Sequence, residues 1–160
     1  MADNYGKKFE ACVKEGLEAS FPKEESITIR IPDQQSKYKG TSSNICDILS
    51  FYNGRLYLVE AKSTHETTFN FARLTQYDDL LKYKDVPNAF PIVVVWFIEL
   101  DTIVVATINE IERMKLGGMK SIHPKWLETN EYKLYRVPAT KKRKFFKCDF
   151  KFLETITKEW

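Results

Sequence analysis

Three side chains in this sequence have the types and spacing for metal-assisted hydrolysis: Asp47, and the two charged ends of Glu60-Ala61-Lys62. They flank Asn53-Gly54, the kind of dipeptide best suited to a two-residue hairpin, because a type I′ turn needs positive φ at both central positions. Counting outward from that turn pairs Tyr52 with Arg55, Phe51 with Leu56, Ser50 with Tyr57, Leu49 with Leu58 and Ile48 with Val59. The next pairs are Asp47 with Glu60 and Cys46 with Ala61. Apolar meets apolar on both faces until two carboxylates stand opposite one another. Like charges placed so are destabilising. A divalent cation such as Mg2+ removes the repulsion, because hard oxygen ligands on neighbouring strands can hold it and leave positions for water. Strand alternation puts Lys62 on the face of Glu60. The bland explanation is a hairpin end whose charges splay into water, with Lys62 neutralising Glu60. That is the commoner meaning of so short a motif, but the turn arithmetic and the apolar face behind the charges favour a metal site.

The elements that must position these groups follow from periodicity. Residues 4–20 read as an amphipathic helix with Phe9, Cys12, Val13 and Leu17 on one face, Asn4 as a possible N-cap and Phe21-Pro22 as its end. Glu10 sits at the border of that stripe, where an ordinary i,i+4 pair with Lys14 explains it. Ser26 to Ile31 alternates as a strand, and 32–43 is a polar loop carrying Lys37-Tyr38-Lys39, a triplet able to stack a base and hold phosphates. A helix is expected over roughly 69–85, buried through Leu74, Tyr77, Leu80 and Leu81, with Gln76 at the edge of the inward stripe. Pro91 to Glu99 reads as a fully buried strand and Thr102 to Ile108 as its hairpin partner. Asn109 is expected to cap a short helix ending at Gly117-Gly118. The last forty residues are less regular: a possible strand at 132–137, then Lys141-Lys142-Arg143-Lys144 leading into an alternating stretch from Phe145 to Phe152. The order predicts an α/β architecture, a mixed β-sheet flanked by helices.

Composition excludes several alternatives. With 160 residues, 43% hydrophobic and 29% charged, the chain is expected to form one domain, 1–160, with a real core. A net charge of +3 implies no nucleic-acid or membrane partner by itself, so any basic contact must be local. Three cysteines without C-x-x-C spacing argue for a reducing compartment and against a zinc knuckle. The N-terminus has no apolar leader-like stretch and no apolar run is long enough to span a bilayer, so a cytoplasmic protein without a membrane partner is expected. His65 and His123 lack zinc-ligand spacing, no Gly-rich phosphate loop suggests a nucleotide cofactor, and no nucleophile elbow exists for Ser-His-Asp chemistry.

A helix with Glu10, Asp47 on one strand, Glu60-Ala61-Lys62 on the next and a helix with Gln76 together resemble the PD-(D/E)XK nuclease superfamily, and within it the RecU-type Holliday junction resolvases. The similarity extends over Gly6 to Glu10, Ile45 to Thr64, Thr75-Gln76-Tyr77, Pro91 to Ile108 and Lys120-Ser121-Ile122-His123. It implies a restriction-endonuclease-like core and a catalytic set of Glu10, Asp47, Glu60, Lys62 and Gln76. It further implies Mg2+, with Mn2+ as substitute, held by Asp47, Glu60 and the Ala61 carbonyl, with Glu10 acting through water. Branched DNA, the four-way junction, is the implied substrate. The two matched cuts it requires imply a homodimer. Candidate DNA contacts are Arg30, Lys37, Tyr38, Lys39, Thr64, Arg73 and Lys141, Lys142, Arg143 and Lys144. Residues 32–43 stand where such resolvases carry a longer basic stalk. A nuclease of the same fold cutting duplex or other branched DNA without junction preference, and a non-catalytic DNA-binding module, are the competing functions.

Overall fold

The structure, a computed structural model, describes residues 5–32, 44–142 and 145–158. It opens with helix α1 (Tyr5–Ser20), whose Phe9, Cys12, Val13, Gly16 and Leu17 are buried. Strand β1 (Ser26–Arg30) follows, then the hairpin of β2 (Ile48–Tyr52) and β3 (Arg55–Thr64). The chain continues through β4 (Phe69–Asn70), the short helix α2 (Tyr77–Leu81), β5 (Ala89–Phe97) and β6 (Thr102–Thr107). Helix α3 (Ile108–Leu116) leads to β7 (Ser121–Ile122), β8 (Tyr135–Arg136) and a terminal hairpin of β9 (Ala139–Lys142) and β10 (Phe145–Cys148).

Six strands form one mixed sheet in the order β1-β2-β3-β5-β6-β8, and β4 with β7, like β9 with β10, forms a two-stranded ribbon. Asn53 and Gly54 have φ of 51° and 75°, the double positive φ that a type I′ turn requires. The β2–β3 register runs from Tyr52↔Arg55 to Ile48↔Val59, as the turn dictates. Strand β3 then pairs in parallel with β5, from Leu56↔Ala89 to Thr64↔Phe97. Both faces of this centre must therefore be apolar. On one face α1 lays Phe9, Val13 and Leu17 over Ile48, Tyr57, Val59, Ile92 and Val94. On the other, Phe69, Leu80, Ile108, Ile111 and Trp126 cover Leu58, Val93, Val95 and Val104. At Gly16 an added Cβ would meet Cys148 Cβ and the Phe150 ring at 2.9 Å, so glycine sets how closely α1 approaches β10.

Four expectations change. The helix expected over 69–85 is replaced by β4, a 3-10 turn at Phe71–Arg73 and the five-residue α2. Asn70 Oδ1 accepts from the Ala72 N–H at 2.8 Å, offering the backbone a tight turn in place of a helix. Thr107 caps α3, its Oγ1 accepting from the Glu110 N–H at 3.2 Å, where Asn109 was expected. The paired ladder of β2 and β3 ends at Ile48↔Val59, and Cys46 joins the cluster containing Leu58, the face opposite the one alternation gives it. Glu10 pairs with Arg30 at 2.6 Å, while Lys14 pairs with Glu18. The possible cap at Asn4 lies outside the described residues.

Candidate active site

The mouth of the β2–β3 hairpin is built by the break in its ladder. Asp47 is gripped from both sides: its N–H donates to the Val59 carbonyl at 3.1 Å, and its own carbonyl accepts from the Ile31 N–H at 2.8 Å. Beyond that point the Ala61 N–H finds no backbone acceptor on β2 and donates to Asp47 Oδ2 at 3.0 Å. In an extended strand the N–H and C=O of one residue point to the same neighbour. The Ala61 carbonyl therefore faces the Asp47 side, past the last ladder pair.

Glu60 is 1% exposed. Its Oε1 lies 3.5 Å from Lys62 Nζ, and its Oε2 is buried without a hydrogen-bond partner among the described residues. Burial first, and then the Asp47 carboxylate, push the Glu60 carboxyl up to about 9; Lys62 opposes them. Asp47 raises it in two ways, by charge and by accepting a hydrogen bond that only protonated Glu60 can donate. With both groups ionised, Oε2 faces a second acceptor and no donor. That is the arrangement a hard cation completes: two carboxylates converging, one with a buried oxygen in want of a positive partner. The donor chemistry of Asp47, Glu60 and the Ala61 carbonyl fits a divalent metal. Among the described residues no group of three or more His, Cys, Asp or Glu side chains gathers for one, so water must supply the remaining positions.

The other candidate residues sit on several different elements. Glu10, on the α1 side of the sheet, has its Oε1 2.6 Å from Arg30 Nε. Arg30 closes β1 beside Ile48. Gln76 is the residue before α2, half-buried, with Oε1 accepting from Thr75 Oγ1 at 3.0 Å. Arg73 donates to the Ser63 carbonyl at 3.0 Å and covers the Phe69 ring, which ties it to the strand carrying Lys62. Thr64 is buried and accepts from the Glu66 N–H at 3.1 Å. His65 pairs with Glu99 at 2.8 Å on the adjoining loop. Lys141 and Lys142 are exposed on β9, with Lys141 3.3 Å from Asp101. Lys37, Tyr38, Lys39, Arg143 and Lys144 lie outside the described residues.

Sequence reasoning missed what holds Asp47 in place. The Ile31 and Ala61 N–H groups both bind it, and only the clean alternation ending at Ile31 hinted that β1 reaches so far. A concavity of about 720 Å3 lies elsewhere, between β8 and the β9–β10 hairpin, and none of Asp47, Glu60 or Lys62 lines it. The carboxylates stand instead where the β2–β3 ladder ends, with Glu60 buried and Asp47 half-buried.

A mixed sheet flanked by helices on both faces, with a central hairpin that carries Asp and Glu-x-Lys, has the PD-(D/E)XK, restriction-endonuclease-like fold. A family model described as Recombination protein U, RecU, matches residues 23–147. The chain belongs to the RecU family. The match takes in Asp47, Glu60, Lys62 and Gln76 and begins after Glu10. The fold is similar to that of Hjc from Archaeoglobus fulgidus, a Holliday junction resolvase from an archaeal hyperthermophile. The TM-score is 0.50 at 18% identity, over 72% of this chain and 84% of that one. No curated protein sequence matches the chain. As a RecU-family protein it is a Holliday junction resolvase, an endodeoxyribonuclease that acts on branched DNA with a divalent metal ion.

Proposed function

We propose that the mouth of the β2–β3 hairpin is the centre that cuts the junction strands, with Asp47, Glu60 and the Ala61 carbonyl holding Mg2+, for which Mn2+ can substitute. The buried, donorless Oε2 of Glu60 beside Asp47 carries this reading. When bound, the ion supplies Lewis-acid neutralisation of charge on the scissile phosphate and eases loss of a proton from water. Lys62, held at 3.5 Å from Glu60, orients the attacking water and donates to the negative charge that builds on the phosphate oxygens as the bridging P–O bond breaks. Glu10 joins through water, and Gln76 positions water or phosphate. Arg30, Arg73, Lys141 and Lys142 supply backbone contacts to the DNA, while Thr64, buried, braces the turn at Glu66 instead of reaching it.

Paired cuts need two such centres, and a homodimer provides them. Ile27 (63%), Ile29 (50%) and Phe51 (44%) are exposed large apolar side chains. The pairs Ile27↔Phe51 and Ile29↔Leu49 put them on one face of the sheet edge, a surface that supports a second copy as its occupant. Residues 1–160 act as one nuclease domain. No helix among the described residues is long and apolar enough to cross a membrane, and a cytoplasmic setting suits a DNA substrate.

The test is cleavage of an end-labelled four-way junction beside a matching linear duplex, in Mg2+ or in EDTA, by the wild type and Asp47→Asn. Symmetric nicks in opposing junction strands, abolished by EDTA and by the substitution, are expected. Equal cutting of the duplex would remove junction selectivity from the proposal, and cutting that survives Asp47→Asn would remove the site.

A further inference from the structure

Past the catalytic strand, the same sheet face carries a second polar feature. Ladder partners place Lys62 beside Val95, Val95 beside Val104 and Val104 beside Arg136. Lys62 and Arg136 therefore stand in one row on one face, three strand spacings apart, or roughly 14 Å at about 4.8 Å per spacing. The ribbon of β4 and β7 bridges the interval, with Phe69 and Ile122 buried in the cluster that holds Val95 and Val104. On its far side is a cleft of about 500 Å3 lined by Thr67, Thr68, His123, Lys125 and Arg136, with Leu100 and Leu127 among the apolar walls.

The groups there are donors and cations. The Thr67 and Thr68 hydroxyls and the Lys125 ammonium make no hydrogen bond or ion pair among the described residues. His123 is fixed against Trp126, ring centroids 4.8 Å apart. Arg136 meets Glu128 at 3.5 Å, a loose pair between side chains 55% and 78% exposed. Exposed pairs of that kind contribute little and exchange readily for another anion. Two hydroxyls, an imidazole, an ammonium and a guanidinium around one opening match the donor set that proteins present to backbone phosphate.

We propose that this cleft is a phosphate-binding subsite for the DNA arm that leaves the active site. It seats the backbone within about four nucleotides of the scissile bond, taking the duplex rise of about 3.4 Å per nucleotide along one strand. Thr67 and Thr68 follow Lys62 on the same chain segment, and the β4–β7 ladder locks that segment to His123. The subsite is thus built in register with the catalytic lysine, so that a backbone held in it sets which phosphate reaches Asp47 and Glu60. This rests on the resolvase reading of that centre.

The test uses the full chain and a fluorescent four-way junction, with binding read by anisotropy in Ca2+ across a salt series and with steady-state cleavage in Mg2+. Lys125→Gln with Arg136→Gln is compared with Lys23→Gln with Lys115→Gln, an equal loss of charge elsewhere on the surface. Each lost phosphate contact lowers the log–log salt slope by about 0.9, so the cleft pair is expected to lower it by about 1.8. Its KM should rise roughly tenfold per contact while kcat at saturating junction holds, and Lys125→Arg with Arg136→Lys should restore the slope. Thr67→Ala with Thr68→Ala should weaken binding with no change of slope. A wild type that binds and cuts junctions, beside a cleft variant indistinguishable from the control pair, would overturn the subsite alone. A wild type that binds no branched DNA would overturn the reading beneath it.

Discussion

Glu60→Gln should make the metal-free protein more stable while destroying its activity. Glu60 is 1% exposed, and its carboxyl is pushed up to about 9 from an ordinary 4.5 by burial and by Asp47. A group whose folded value lies above its unfolded one contributes stability that is fully present below the unfolded value and is lost as pH rises through the folded one. For Glu60 that window runs from 4.5 to about 9. At pH 7 the unfolded chain gains about 1.36 kcal/mol for each unit between 4.5 and 7, a cost to the fold of roughly 3 kcal/mol. Glutamine mimics the protonated form. Its amide can donate to Asp47 and its carbonyl can accept from Lys62. Urea unfolding in EDTA at pH 5, 6, 7 and 8 should therefore show the variant gaining on the wild type by about 1.4 kcal/mol per pH unit, with near equality at the acid end. Saturating Mg2+ should reverse the order, because it binds only the wild-type pair tightly. A variant less stable than the wild type at pH 8 in EDTA, or a gain that does not depend on pH, would refute the reasoning.

Two further substitutions separate scaffold from chemistry. Gly16→Ala forces a Cβ to within 2.9 Å of Cys148 and Phe150, and should cost about 1–3 kcal/mol in urea unfolding while leaving the junction nick positions unchanged. Lys62→Gln keeps most of the side-chain volume and removes the ammonium 3.5 Å from Glu60. It should lower kcat by roughly 100-fold or more with little change in junction Kd, seen in single-turnover cleavage beside anisotropy.

The hairpin was readable because two residues fix everything after them. Asn53-Gly54 selects a turn, and the turn selects the register from Tyr52↔Arg55 to Ile48↔Val59. The next expected pair, Asp47 with Glu60, does not form, because the Asp47 N–H bonds to the Val59 carbonyl and its carboxylate takes the Ala61 N–H. The α1 stripe was readable for the same local reason, since Phe9, Val13 and Leu17 recur at helical spacing. What failed depended on distant partners. The apolar spacing of Leu74, Tyr77 and Leu80 reads as one long helix, but Phe69 pairs with Ile122 far along the chain, and the Asn70 cap diverts the backbone into a tight turn. Counting outward puts Cys46 on the wrong face because it assumes an unbroken ladder. The Asp47 side chain, by taking the Ala61 N–H, ends it. Glu10 next to Arg30 is likewise a contact between α1 and β1 that i,i+4 spacing cannot foresee.

The most direct test of the metal assignment is a calorimetric titration of the metal-free protein with Mg2+ at pH 7, repeated in buffers of different ionisation enthalpy. A carboxyl held up at about 9 must give up its proton before it can ligate. The wild type should bind with release of roughly one proton per ion. Glu60→Gln should lose both the proton release and most of the affinity, and Asp47→Asn should lose most of the affinity. Binding of equal strength in all three proteins, or wild-type binding that releases no proton, would contradict the placement of the ion between Asp47 and Glu60.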